Sequence, residues 1–183
     1  MGSPAPNRKR YNPLRNFSDQ HLLSRDTNLV EARFLSLTAQ VRDGAYPLHM
    51  AIKAGAPKAV VELMITEEKD VLHMSDKFGQ TPLHVAVANN ANDEIVELLV
   101  DHGGAKAVHA TDKSKNLPIH LAARYGCSTR VATSLLLHFL ESIHSTNADG
   151  MTPLDLATES KKCEEAAVRL FEIADHSEAP EAE

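Results

Sequence analysis

Tyr46-Pro47-Leu48-His49-Met50-Ala51 opens a hexapeptide pattern that returns as Thr81-Pro82-Leu83-His84-Val85-Ala86, Leu117-Pro118-Ile119-His120-Leu121-Ala122 and Thr152-Pro153-Leu154-Asp155-Leu156-Ala157. The four prolines are 35, 36 and 35 residues apart. A second register keeps the same period. Apolar or small pairs stand at Val60-Val61, Ile95-Val96, Val131-Ala132 and Ala166-Ala167, followed by Met64, Leu99, Leu135 and Leu170. Asp76, Asp112 and Asn147 each stand six residues before a proline. Proline suits the first helical position, where its missing amide would have had no partner. Thr81 and Thr152 stand where a side chain caps such a helix, each contributing about 1 kcal/mol. Ala51, Ala86, Ala122 and Ala157 let neighbouring helices approach, and Gly55 and Gly126 end them where a left-handed turn is cheap. A second helix begins near Pro57, Asn92, Ser128 and Lys162 in the successive units. Asp93 and Glu94 suit the positive end of theirs. Helix pairs of this kind bury their apolar stripes only by stacking, which needs at least about three units.

Composition agrees with a stack rather than one large core. The chain has 183 residues, 43% of them hydrophobic, yet only 4% aromatic with no Trp. The balance excludes collagen-like and low-complexity chains. No apolar run approaches the roughly 18 residues of a membrane span. The polar, proline-rich start argues against a secretory signal, and Pro6 stands where a myristoylation motif wants Ser or Thr. Two cysteines, Cys127 and Cys163, cannot form a disulfide framework, which fits a reducing compartment. At a repeat pitch of roughly 10 Å the two would stand too far apart for a disulfide, so two free thiols are expected. The net charge is −6, and it is unevenly spread. Residues 1–42 carry seven Lys and Arg against three Asp and Glu, so the remainder is strongly acidic.

The pattern resembles the ankyrin repeat, whose T-P-L-H-x-A motif recurs about every 33 residues. The resemblance covers roughly residues 41–175, in repeats of about 41–75, 76–111, 112–146 and 147–175. It implies an all-α solenoid of stacked helix-turn-helix pairs joined by short β-hairpin loops. Each repeat is two or three residues longer than the family norm. The late apolar pair places one extra residue between the helices and the remainder after the second. Tyr46 and Leu117 replace Thr, Lys115 replaces the turn Gly, and Asp155 replaces the last His.

The ends read as caps and tails. Asn28 and Glu31 have capping-box spacing, and Val30, Phe34, Leu37 and Val41 then share one helical face. Residues 18–40 are expected to form N-terminal capping helices, the main one over 28–40 and a short turn over Ser18 to Leu23. Residues 1–17 and the acidic 176–183 are expected to be disordered tails.

Ten histidines invite a metal or general-base reading. For His49, His84 and His120 the resemblance implies side chains bonded to turn backbone. His73, His109 and His144 form a second column, read as polar links between hairpin and adjacent strand. Zinc holds its ligands about 2 Å away, so a column at the repeat pitch cannot share one ion. His102, just before the helix-ending Gly103-Gly104, suits a helix C-terminus as an imidazolium. No H-E-x-x-H, G-x-S-x-G, Walker or G-x-G-x-x-G pattern occurs. The expectation is a non-enzyme with no cofactor and no metal.

What the resemblance implies instead is a protein-binding module, acting alone as a scaffold or adaptor or as the docking or self-association segment of a larger protein. A small-ligand or metal site among the histidines is the alternative of another class. The family's recognition positions, at hairpin tips and the exposed end of the inner helix, map onto Arg42, Lys53, Lys77, Phe78, Gln80, Asn89, Lys113, Asn116, Arg124, Tyr125 and Met151. In the first three repeats this face is basic and carries two aromatics, whereas the outer helices show Glu62, Glu94, Glu97, Asp101 and Glu141. An acidic or phosphorylated protein segment is the expected partner, with no membrane, nucleic acid disfavoured by the charge, and a monomer in isolation. The expected location is cytoplasmic, with nuclear import through Arg8-Lys9-Arg10 as the alternative.

Overall fold

The structure is a computed structural model that describes residues 44–176. The expected capping helices over 18–40, the Arg8-Lys9-Arg10 cluster, Arg42 and the tails at 1–17 and 177–183 lie outside the described residues.

Each motif proline occupies the first position of a short inner helix: α1 (Pro47–Lys53), α3 (Pro82–Ala88), α5 (Pro118–Tyr125) and α7 (Pro153–Ser160). Each is followed by an outer helix: α2 (Lys58–Glu67), α4 (Asp93–Val108), α6 (Thr129–His138) and α8 (Glu165–His176). Inner helices pack in series, α1 on α3, α3 on α5 and α5 on α7, and the outer helices do the same behind them. The result is a two-layer solenoid of four helix pairs, with no strand among the described residues. Leu48, Leu83, Leu99, Leu135, Leu156 and Phe171 are fully buried between the layers. Each such side chain is worth about 1.5–3 kcal/mol of burial. The motif alanines Ala51, Ala86, Ala122 and Ala157 are also buried, at the close contacts their size allows.

The added length of the repeats lies mainly behind the outer helices, as the spacing predicts. Lys69–His73 and Leu140–His144 form 3-10 helices after α2 and α6. In the second repeat Gly104 (φ 56°, ψ −155°) breaks α4, and a last helical turn lies beyond it. Gly103-Gly104 therefore ends the regular outer helix, and that last turn takes the place of the 3-10 helix.

The loops between repeats are the expected hairpin turns in reduced form, each closed by one backbone bond between its arms: Asp76 N–H to the Gln80 carbonyl at 2.9 Å, Asp112 N–H to that of Asn116 at 3.0 Å and Asn147 N–H to that of Met151 at 3.1 Å. A side chain braces each turn as well. Asp76 Oδ1 accepts the Phe78 and Gln80 amides at 2.8 and 2.9 Å, and Asp112 Oδ1 accepts those of Ser114 and Asn116 at the same distances. Asn147 Oδ1 repeats the arrangement with Asp149 and Met151. Successive loops are then tied tip to tip, Lys113 N–H to the Phe78 carbonyl at 3.0 Å and Ala148 N–H to that of Ser114 at 2.9 Å.

Two expectations about the helix starts need correction. The Thr81 hydroxyl does not cap α3; it lies 2.8 Å from His84 Nδ1. Thr152 does cap α7, accepting from the Asp155 amide at 3.2 Å. The outer helix of the fourth repeat begins at Glu165 rather than near Lys162. Glu164 is engaged elsewhere, its amide on the Cys127 carbonyl at 3.2 Å and its carboxylate on the Thr129 amide and hydroxyl at 2.8 Å.

The same joint overturns the spacing argument about the cysteines. Cys127 and Cys163 are free thiols, but their sulfurs are 3.3 Å apart. A pitch near 10 Å describes helix axes. At the turns between inner and outer helices the backbones of the third and fourth repeats come within hydrogen-bonding distance, and two side chains bridge the rest.

Candidate protein-binding face

The loops that form the candidate face are held from the preceding repeat by the motif histidines. His49, His84 and His120 are buried. Their Nδ1 atoms receive the amides of Tyr46, Thr81 and Leu117 at 3.3, 3.2 and 3.2 Å. Their Nε2 atoms meet the carbonyls of Gln80, Asn116 and Ser145 at 2.9, 3.0 and 3.0 Å. An amide only donates and a carbonyl only accepts, so each ring is the neutral Nε2–H tautomer. Burial holds all three below the ordinary histidine value of 6.5, against the opposing pull of the carbonyls they bond. His73 is lowered in the same direction by desolvation and by Lys106.

A pH dependence results. The unfolded chain takes up protons near 6.5 while these folded rings resist them. Their stability contribution is full above that value and is lost as pH falls from 6.5 toward the lower folded values. Thermal melts should therefore show a lower midpoint at about pH 5.5 than at about pH 7.5. An unchanged midpoint would refute the neutral ladder.

In the second histidine column His109 does not form the expected hairpin link. The His109 ring lies against Phe139, with centroids 3.8 Å apart, and His144 Nδ1 is 3.2 Å from Asp175 Oδ1. His102 bonds the Leu98 carbonyl one turn back at 3.0 Å. Among the described residues no group of three or more His, Cys, Asp or Glu is placed to hold a metal ion.

The mapped recognition residues separate into three groups. Lys53, Lys77, Phe78, Asn89, Lys113 and Tyr125 are exposed, with Phe78 at 54% and Tyr125 at 42%. Gln80, Arg124 and Met151 are half-buried. Asn116 is buried, with its amide group on the Asp112 carboxylate and its Oδ1 accepting from Asn147 Nδ2 at 3.0 Å. It braces the loop and leaves the surface set.

The two exposed aromatics each have a lysine beside the ring. Lys77 Nζ stands 4.9 Å from the Phe78 ring centre, and Lys162 Nζ 5.8 Å from that of Tyr125. Arg124 reaches Asp149 across the repeat boundary at 3.9 Å. Phe78 and Tyr125 are not together. Phe78 is on the loop tied to the one before α5, and Tyr125 is the last residue of α5, about 12 Å of helix away.

Two surface features escape the sequence pattern. Lys162 belongs beside Tyr125, although it comes 37 residues later in the chain. Only the repeat offset could have signalled it. On the outer layer Leu137 (78% exposed), Leu140 and Ile173 (66% exposed) line an apolar groove of about 370 Å³. Their spacing there reads as ordinary core periodicity, so the sequence offers no signal that they stay outside. The outer helices are also less uniformly acidic than expected. Lys58 is 3.7 Å from Glu94, and Arg130 clasps the Glu97 carboxylate.

Among the described residues no helix is long and apolar enough to cross a membrane. A family model described as ankyrin repeats (3 copies) matches residues 20–110. No curated protein matches the chain. The matched segment takes in the first two helix pairs, and α5 to α8 repeat their motif, capping and stacking. The chain belongs to the ankyrin-repeat family.

Proposed function

We propose that the chain is a non-catalytic protein-interaction module that holds an acidic or phosphorylated segment of another protein along its loop tips and inner-helix ends. Ankyrin repeats are generally protein–protein interaction modules and typically non-catalytic. The observation that carries the finer reading is the pair of exposed aromatics, Phe78 and Tyr125, each with a lysine ammonium over its ring. Aromatic and Arg side chains on a rigid frame are the types that dominate binding energy. Their separation along α5 calls for an extended segment that reaches from one to the other. Lys77, Lys113 and Arg124 would supply attraction and orientation, which act mainly on the association rate. Lys53, Gln80, Asn89, Met151 and Arg42 complete the proposed contact set.

Affinity capture from native cell extract with mass spectrometry supplies the partner. With it in hand, Phe78→Ala combined with Tyr125→Ala should weaken binding by more than about 2 kcal/mol. Lys77→Glu with Arg124→Glu should slow association and flatten its salt dependence. Wild-type affinity for both variants would move the interface to the outer layer, with its acidic residues or the groove at Leu137 and Ile173.

A further inference from the structure

We infer that Cys127 and Cys163 form an oxidation site, where a hydroperoxide converts the two thiols to an intrachain disulfide that staples the fourth repeat to the third. The geometry is already close. The sulfurs are 3.3 Å apart, against about 2.05 Å in a disulfide. Their backbones are held in register by the Glu164 amide on the Cys127 carbonyl and by the Glu164 carboxylate on Thr129. Gly126 keeps this approach open: a Cβ there would stand 2.9 Å from the Lys162 carbonyl oxygen. Small oxidants have a path, because Cys127 lines a groove of about 280 Å³ together with Tyr125, Lys162 and Asp93, and Cys163 is only half-buried.

The two sulfurs differ in the way a stepwise oxidation requires. Cys163 is brought down to about 7 by the Cys127 S–H directed at it, while the Cys163 neighbour and burial push Cys127 up. When protonated, Cys163 points its S–H at the Ala123 carbonyl, 3.4 Å away. The Cys163 thiolate is the attacking group. It takes the terminal oxygen of the hydroperoxide, the O–O bond breaks, and the sulfenic acid forms as the alkoxide leaves and is protonated by solvent. Cys127 then attacks the sulfenic sulfur, and the displaced hydroxide leaves with the Cys127 proton as water. Two thiols and one hydroperoxide give one disulfide, one alcohol and one water. Two electrons pass from sulfur to oxygen. In a reducing compartment such a bond is transient and reports oxidant. It would also fix the Tyr125–Lys162 pair, since Tyr125 precedes Cys127 by two residues and Lys162 immediately precedes Cys163.

The test uses the full chain, reduced and then exposed to hydrogen peroxide, with remaining thiols blocked before digestion by trypsin. Peptide 125–130 should be recovered joined to peptide 163–169, two hydrogens lighter than their sum, and dithiothreitol should separate them. The thermal midpoint of the oxidised chain should rise by at least about 4 °C and return on reduction. Cys127→Ser and Cys163→Ser variants should show neither the linked peptides nor the rise. Recovery of the two peptides unlinked as sulfinic or sulfonic acids would overturn the inference. Linkage only between separate chains, or a linked pair with an unchanged midpoint, would overturn it equally.

Discussion

His84→Leu is expected to cost about 3–5 kcal/mol at neutral pH. The leucine roughly matches the ring in volume, so packing is nearly preserved and the loss isolates the hydrogen bonds. It strands the Thr81 amide and hydroxyl, which His84 now satisfies in a fully buried position, and takes one of two donors from the Asn116 carbonyl, which keeps the Asp112 amide. An abandoned buried group costs about 1–3 kcal/mol, and partial relaxation keeps the total below the sum. Because α3 lies between two other inner helices, the lesion cuts the coupling of the first repeat to the third. Urea denaturation at neutral pH measures it. A loss under about 1 kcal/mol would mean that water reaches the two Thr81 groups.

Phe171→Ala should cost a similar amount, about 3–5 kcal/mol, but should express it differently. Phe171 is 0% exposed, on α8 where that helix packs against α6 and α7. In a stack that gains stability from neighbour contacts, a lesion in the last described pair frays that pair and spares the rest. Amide exchange should therefore accelerate across α7 and α8 while α1 to α4 keep their protection. Uniform acceleration along the chain would show that the four pairs melt as one unit.

Much of this architecture is legible in residues 46–51 and their three echoes. Proline at the first helical position, small residues at the close contacts and a positive-φ residue after the inner helix are local requirements, and local requirements leave a mark on the sequence. Gly55 and Gly126 carry that mark, while Asn90 (φ 49°) and Lys161 (φ 52°) meet the same need without it. Contacts across repeats are less visible. The Thr81 hydroxyl reads as a cap until the ring of His84 is placed beside it. Asn116 sits at a recognition offset, yet only the neighbouring loop reveals that Asn147 engages it. The cysteine pair defeats the spacing argument for a quantitative reason, since helix pitch does not hold at a turn where backbones come closer. On the candidate face the offsets locate Phe78 and Tyr125 correctly as exposed residues. Lys162 goes unread because its neighbour comes from another repeat.

The histidine ladder makes the solenoid vectorial. His49, His84 and His120 each pass a proton donor forward to the loop of the following repeat. Asp155, at the same place in the fourth, is exposed and turns back on its own Thr152, accepting from that amide and hydroxyl at 2.9 and 2.8 Å. Those bonds hold its carboxyl below the usual carboxylate value, so at neutral pH it is an anion with no proton to offer. A repeat grafted behind α8 would therefore dock on packing alone until residue 155 regained an imidazole. A repeat grafted ahead of α1 would instead bring its own histidine, with the Ala45 carbonyl at the position that Gln80 and Asn116 hold in the later loops. Lengthening the array behind α8 therefore calls for Asp155→His first.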